Sequence, residues 1–171
     1  MSHTIYIMRH GIAEDISGDG TDASRRLTAE GERKTKRAAI GLKRMGIALD
    51  AILSSPLSRA EGTARLVASV LQPDLRVEIY PLLAPGNTAA DVVQGLRAYR
   101  DARHLMLVGH QPGLGELASL LLSKAPRVTP LPFGKCGVAA IAVESLPPRA
   151  AGVLEWFMTP KQLRSLGRRS R

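Results

Sequence analysis

Two cations stand side by side where an apolar run stops: residues 4–8 read TIYIM, and Arg9, His10 and Gly11 follow without a spacer. A second arginine, Arg59, lies three residues past Pro56 in SSPLSRAEGTA, and a second histidine, His110, follows the apolar run HLMLVG. Taken singly, each has an ordinary explanation. Arg9 suits a surface cation, His10 a hydrogen-bonded loop residue, Arg59 an ion pair with Glu61 or Asp50, and His110 a cap on the helix that follows.

Together they suit phosphoryl transfer. A guanidinium is a planar fork of donors that matches phosphate oxygens two at a time. Two forks and a histidine N–H can surround three non-bridging oxygens, while a neutral imidazole attacks phosphorus and carries the group covalently. Neighbouring guanidinium cations disfavour imidazolium, which keeps such a nucleophile neutral. They also neutralise transition-state charge, the main service a protein offers this reaction. Gly11, with no Cβ, allows a sharp turn or a close approach to phosphate. Competing chemistries are weaker. No acid or cysteine lies at ligand spacing beside either histidine, so no metal or cofactor is expected. Ser54 and Ser55 lack a G-x-S-x-G elbow, and no Walker-type glycine loop is present.

The elements that must position these residues follow from periodicity. Strands are expected at 4–8, 50–55, 76–81, 104–109, 137–145 and 152–158. Helices are expected at 28–45, with Thr28 as N-cap and Gly46 as stop, and at 56–71, 88–102 and 112–123. Strands that alternate with helices predict a three-layer α/β/α sandwich. Its central sheet is mostly parallel, with an antiparallel edge from the closing hairpin. Ligands of such sheets bind beyond the carboxyl ends of the strands, which is where Arg9, His10, Arg59 and His110 fall.

Composition bounds the rest. A chain of 171 residues with 44% apolar content predicts one domain, over 1–160, followed by a basic tail at 161–171. That tail holds five cations and no acid, more than half of the net charge of +9, and is expected to be solvated. Excess charge that sits mostly on a tail, with 4% aromatics, argues against a nucleic-acid platform. No apolar run nears the roughly 20 residues needed to span a bilayer. The single cysteine, Cys136, and the absence of a leader-like N-terminus predict a cytoplasmic protein, and the short chain a monomer.

Four segments in order resemble the histidine phosphatase superfamily, also called phosphoglycerate mutase-like: MRHGIAED, LTAEGERKTKRAA, ILSSPLSRAEGTARLVA and LVGHQPGLGELASLLL. The resemblance runs from about residue 4 to residue 160. The form GHQPGL and the ending WFMTPKQL are most similar to the SixA-type phosphohistidine phosphatases. The resemblance implies that His10 accepts the phosphoryl group and that Arg9, Arg59 and His110 hold it. Asp22 and Arg25, in DASRRLT, match a segment that approaches the site from the loop after the first strand; a polar turn ahead of the Thr28 cap is the alternative. It implies a phosphohistidine substrate in a protein, from a phosphorelay or a phosphocarrier.

One departure bears on the substrate. Many members carry a glutamate after the third strand as general acid, whereas this chain reads IYPLLAPGN there. Expelling an alkoxide needs a proton donor worth about 10²–10⁴-fold. Imidazole, with a pKa near 6.5, leaves more easily, so the missing acid favours a P–N bond over a P–O bond. The alternatives are a phosphatase for small phosphoesters and a phosphate-binding module without turnover. A second departure, Gly62 inside the Arg59 helix, costs about 1 kcal/mol relative to alanine.

Overall fold

A computed structural model describes residues 2–168. Two nearly continuous apolar runs form its central strands, β1 (His3–Arg9) and β4 (His104–Gly109), each with five consecutive buried residues. Strands buried on both faces read this way in parallel sheets. Around them lie α1 (Ala29–Arg44), β2 (Ala51–Ser54), α2 (Ser58–Leu71), β3 (Val77–Ile79), α3 (Ala89–Gly95), α4 (Gly113–Ser123), β5 (Val138–Val143), β6 (Val153–Met158) and α5 (Pro160–Leu166). The six strands form one sheet in the order β3-β2-β4-β1-β5-β6. The first four are mutually parallel, and β5 and β6 add the antiparallel edge expected from the sequence.

Side chains alternate across each strand and so divide between two cores. Ile5, Ile7, Leu105 and Leu107 pack with residues of α3 and α4. Tyr6, Met8, Met106 and Val108 pack with α1, α2 and Leu163 of α5. Two helical layers therefore enclose the sheet. Thr28 caps α1 by accepting from Gly31 N–H, and Gly46 ends the segment at φ +76.

Three expectations need correction. The helix after SSP starts at Ser58, not Pro56, because Leu57 is still extended at φ −71, ψ 134. The helix expected over 88–102 is α-helical only to Gly95 and tightens to a 3₁₀ turn at Leu96–Tyr99. Glycine is a poor helix former, and Tyr80 packs into the space its side chain would occupy. The basic tail does not leave the fold at residue 161. Pro160 opens α5, and Thr159 and Gln162 form a capping box. Leu163 is fully buried among α1 residues, and its carbonyl lies where a Cβ on Gly41 would stand. Residues 169–171 of that tail lie outside the described residues. Among the described residues no helix is long and apolar enough to cross a membrane.

Candidate active site

The sheet order brings the two histidines together. Because β1 and β4 are adjacent, with Arg9 opposite Gly109, the residues that follow each strand share one edge. His10 N–H donates to the Gly109 carbonyl at 3.1 Å, and the His10 and His110 ring centroids lie 5.1 Å apart. β2, on the other side of β4, carries Ser55 and the start of α2 to the same edge, and Arg59 sits in the first turn of α2. Arg59, His10 and His110 are all buried.

Each side chain is held by identifiable partners. The Nδ1 atom of His10 is 2.7 Å from the Gly11 carbonyl. A carbonyl only accepts, so Nδ1 carries the proton and the Nε2 lone pair is left for chemistry. Among the described residues nothing hydrogen-bonds to that Nε2. Burial, with Arg59 and Arg9 adding to it, lowers the His10 pKa to about 4, so the ring is neutral at pH 7. The His110 pKa is lowered to about 3, first by burial and then by His10 and Arg59. Arg9 donates from Nη1 to the Phe133 carbonyl at 2.8 Å, and its buried Nε has no partner.

Arg59 does not pair with Glu61 or Asp50. Glu61 accepts from Arg65, and Asp50 accepts from the N–H groups of Arg103 and His104. Both terminal nitrogens of Arg59 go instead to Asp22: Nη1 to its carbonyl at 2.6 Å and Nη2 to its carboxylate at 2.9 Å. Arg25 donates to the other carboxylate oxygen of Asp22 at 2.8 Å. The loop residues that resembled a substrate segment thus reach the site, and Asp22 occupies the fork of Arg59. The two arginines hold the Asp22 carboxyl below the usual carboxylate range, with Arg59 the larger influence.

Gly11 serves differently from the sequence expectation. A Cβ there would collide with Thr35 Oγ1 and crowd Leu27, so the glycine lets the loop pack on α1. Its N–H donates to Thr63 Oγ1 at 2.9 Å. Thr63 and Ser55 are the polar site residues that sequence reading missed. Thr63 lies one helical turn after Arg59, and the sequence offers Ser55 only as a nucleophile without its elbow. Its Oγ is 2.7 Å from Nε2 of His110.

A cavity of about 260 Å³ opens beside His110, walled in part by Leu82, Leu83 and Gln111. Among the described residues Glu116 is the one acid that lines it. Glu78 accepts from the Tyr99 hydroxyl, Asp91 belongs to the capping box of α3, and Glu116 pairs with Arg127 at 2.7 Å. Among the described residues no group of three or more His, Cys, Asp or Glu is placed to hold a metal ion.

Known proteins are similar to this chain in sequence and fold. The family model for the histidine phosphatase superfamily (branch 1) matches residues 5–85. An uncharacterized protein of Picosynechococcus sp. (strain PCC 7002) is 38% identical over 120 residues, 68% of this chain and 72% of that one. The phosphohistidine phosphatase SixA of Escherichia coli K12 is 28% identical over 163 residues, 94% and 96% of the two chains. A solved structure of the protein histidine phosphatase SixA complexed with tungstate superposes with a TM-score of 0.82 at 28% identity, covering 94% of this chain and 99% of the other.

Proposed function

The chain belongs to the histidine phosphatase superfamily, and on that premise we propose that it hydrolyses phosphohistidine in a protein through a covalent intermediate on His10. The observation that carries this reading is a neutral imidazole whose Nε2 is unpartnered, beside Arg9, Arg59 and His110. Similarity to SixA over almost the full length of both chains supports the substrate class.

In the proposed reaction, His10 Nε2 forms a bond to phosphorus as the P–N bond of the substrate breaks. The departing imidazole takes a proton from water. Arg9 and Arg59 neutralise the phosphoryl oxygens, and His110 donates a hydrogen bond to one of them. Water then attacks phosphorus, phosphate leaves, and His10 returns to its starting state. The guanidinium groups supply the positive charge, so no metal is assigned a step. Glu78 and Asp91 do not line the cavity, and Glu116, which does, is ion-paired with Arg127, which favours a leaving group that needs no enzymic acid. We place this activity in the cytoplasm, on a monomer acting on a phosphorelay or phosphocarrier protein.

The test compares initial rates on a phosphohistidine protein and on small sugar phosphates at equal concentration. Phosphate release should favour the P–N substrate by about 10²-fold or more. His10→Ala should abolish both release and alkali-quenched labelling of the enzyme. Normal turnover by His10→Ala would refute the mechanism, and faster turnover of the sugar phosphates would favour the small-phosphoester reading.

A further inference from the structure

Ser55 is fully buried at the edge where β2 ends, and its backbone N–H donates to the Val108 carbonyl at 2.9 Å. Sheet pairing therefore fixes its place relative to His110, two residues beyond Val108. The Ser55 hydroxyl makes two contacts. Its oxygen accepts from Leu57 N–H at 3.3 Å and lies 2.7 Å from Nε2 of His110.

Counting hydrogens selects the direction of the second contact. A hydroxyl has one hydrogen to donate. If Nε2 carried the imidazole proton, the Ser55 oxygen would accept twice. Its own hydrogen would then be buried with no other acceptor among the described residues. That arrangement carries the penalty of a buried unsatisfied donor. If Nε2 accepts instead, both the hydroxyl hydrogen and Leu57 N–H are satisfied. The proton then sits on Nδ1, which is buried and has no partner. A buried N–H without an acceptor is the group an incoming anion would satisfy.

We propose that Ser55 is a positioning residue whose hydroxyl donates to Nε2 of His110, holding that ring in the Nδ1–H tautomer so that Nδ1 donates to an oxygen of the bound phosphoryl group. The identity of that anion rests on the phosphatase reading; the tautomer does not. The two histidines then carry the same tautomer for opposite purposes. Gly11 presents an acceptor to His10 and leaves the Nε2 lone pair free to attack. Ser55 presents a donor to His110 and leaves an N–H to bind. In the other tautomer His110 would turn a lone pair toward a negatively charged oxygen.

The experiment uses the full chain with ¹⁵N-labelled histidine, assigned against His110→Gln. Two-bond ¹H–¹⁵N spectra at pH 7 should show His110 protonated on Nδ1 and bare on Nε2. Ser55→Ala should shift the ring toward the Nε2–H form and weaken inorganic phosphate binding about tenfold, the effect of one hydrogen bond to a charged group. Ser55→Thr, which keeps the hydroxyl, should restore the Nδ1–H signature. A wild-type His110 protonated on Nε2 overturns the proposal, as does Ser55→Ala with unchanged tautomer and phosphate affinity. If Ser55→Ala fails to fold, the wild-type and Ser55→Thr spectra decide the matter. If wild-type enzyme has the expected tautomer but releases no phosphate from a phosphohistidine protein, the phosphatase reading fails and the Ser55 assignment stands.

Discussion

Acidifying the free protein from pH 7 to pH 5 should leave His10 almost entirely neutral. An imidazole at the ordinary pKa of 6.5 would be neutral in only about 3% of molecules at pH 5, whereas one at about 4 is neutral in about 90%, a difference of about 30-fold in competent nucleophile. The cause is burial first, then the Arg59 and Arg9 charges, opposed by the Gly11 carbonyl that accepts from Nδ1. The direct assay is an NMR titration of the Cε1–H signals of His10 and His110, which titrate as a pair across 5.1 Å. Neither signal should show a midpoint above pH 5, and Arg59→Met should move the His10 midpoint upward. The same shifts carry a stability signature. Between about pH 4 and 6.5 the unfolded chain binds two protons that the folded chain refuses. Stability therefore falls as pH drops below 6.5, with a slope of at most about 2.7 kcal/mol per pH unit. Urea unfolding at pH 7 and pH 5 measures it, and a His10→Gln/His110→Gln double variant should lose most of that dependence. Midpoints near 6.5, or equal pH dependence in wild type and double variant, would refute the reasoning.

Other perturbations follow from the contacts. Asp22→Ala frees Nη2 of Arg59, leaves Nη1 on the backbone carbonyl of residue 22, and removes a carboxylate from the anion's path. Asp22 is largely exposed, so calorimetry should show inorganic phosphate binding no more than about fivefold tighter, less so at high salt; weaker binding would mean that Asp22 holds Arg59 in place for the anion. Leu163→Ala removes the buried anchor of α5 and should cost about 2–5 kcal/mol in urea unfolding, where a solvated tail would show no loss. Gly11→Ala forces a methyl against Thr35 Oγ1, a stiff β-branched side chain, and should destabilise the protein by about 1–3 kcal/mol. Thr35→Ser would leave the clash, because Oγ remains, and Thr35→Ala should relieve part of it.

Much of this protein is legible in local patterns. The positions of all six strands and of α1 and α4 follow from apolar periodicity, a threonine cap and a glycine stop, all properties of neighbouring residues. The alternation of strand and helix implies a parallel sheet, and the sheet implies that Arg9, His10, Arg59 and His110 gather at its carboxyl edge. Composition failed at the C-terminus: five cations suggested solvent, whereas Leu163 and the Thr159 and Gln162 cap fasten the start of that segment to α1. Its docking depends on Gly41, more than 100 residues earlier, which no local pattern reveals. The same limit applies inside the site. The residue types of Ser55, Asp22 and the two histidines state what each can donate or accept. Only the tertiary structure decides that Asp22 fills the fork of Arg59, that the Gly11 carbonyl accepts a hydrogen bond from His10 Nδ1–H, and that Ser55 faces His110. A hydrogen bond is set by separation and direction across strands far apart in sequence, and the pairing of β1 and β2 with β4 establishes both.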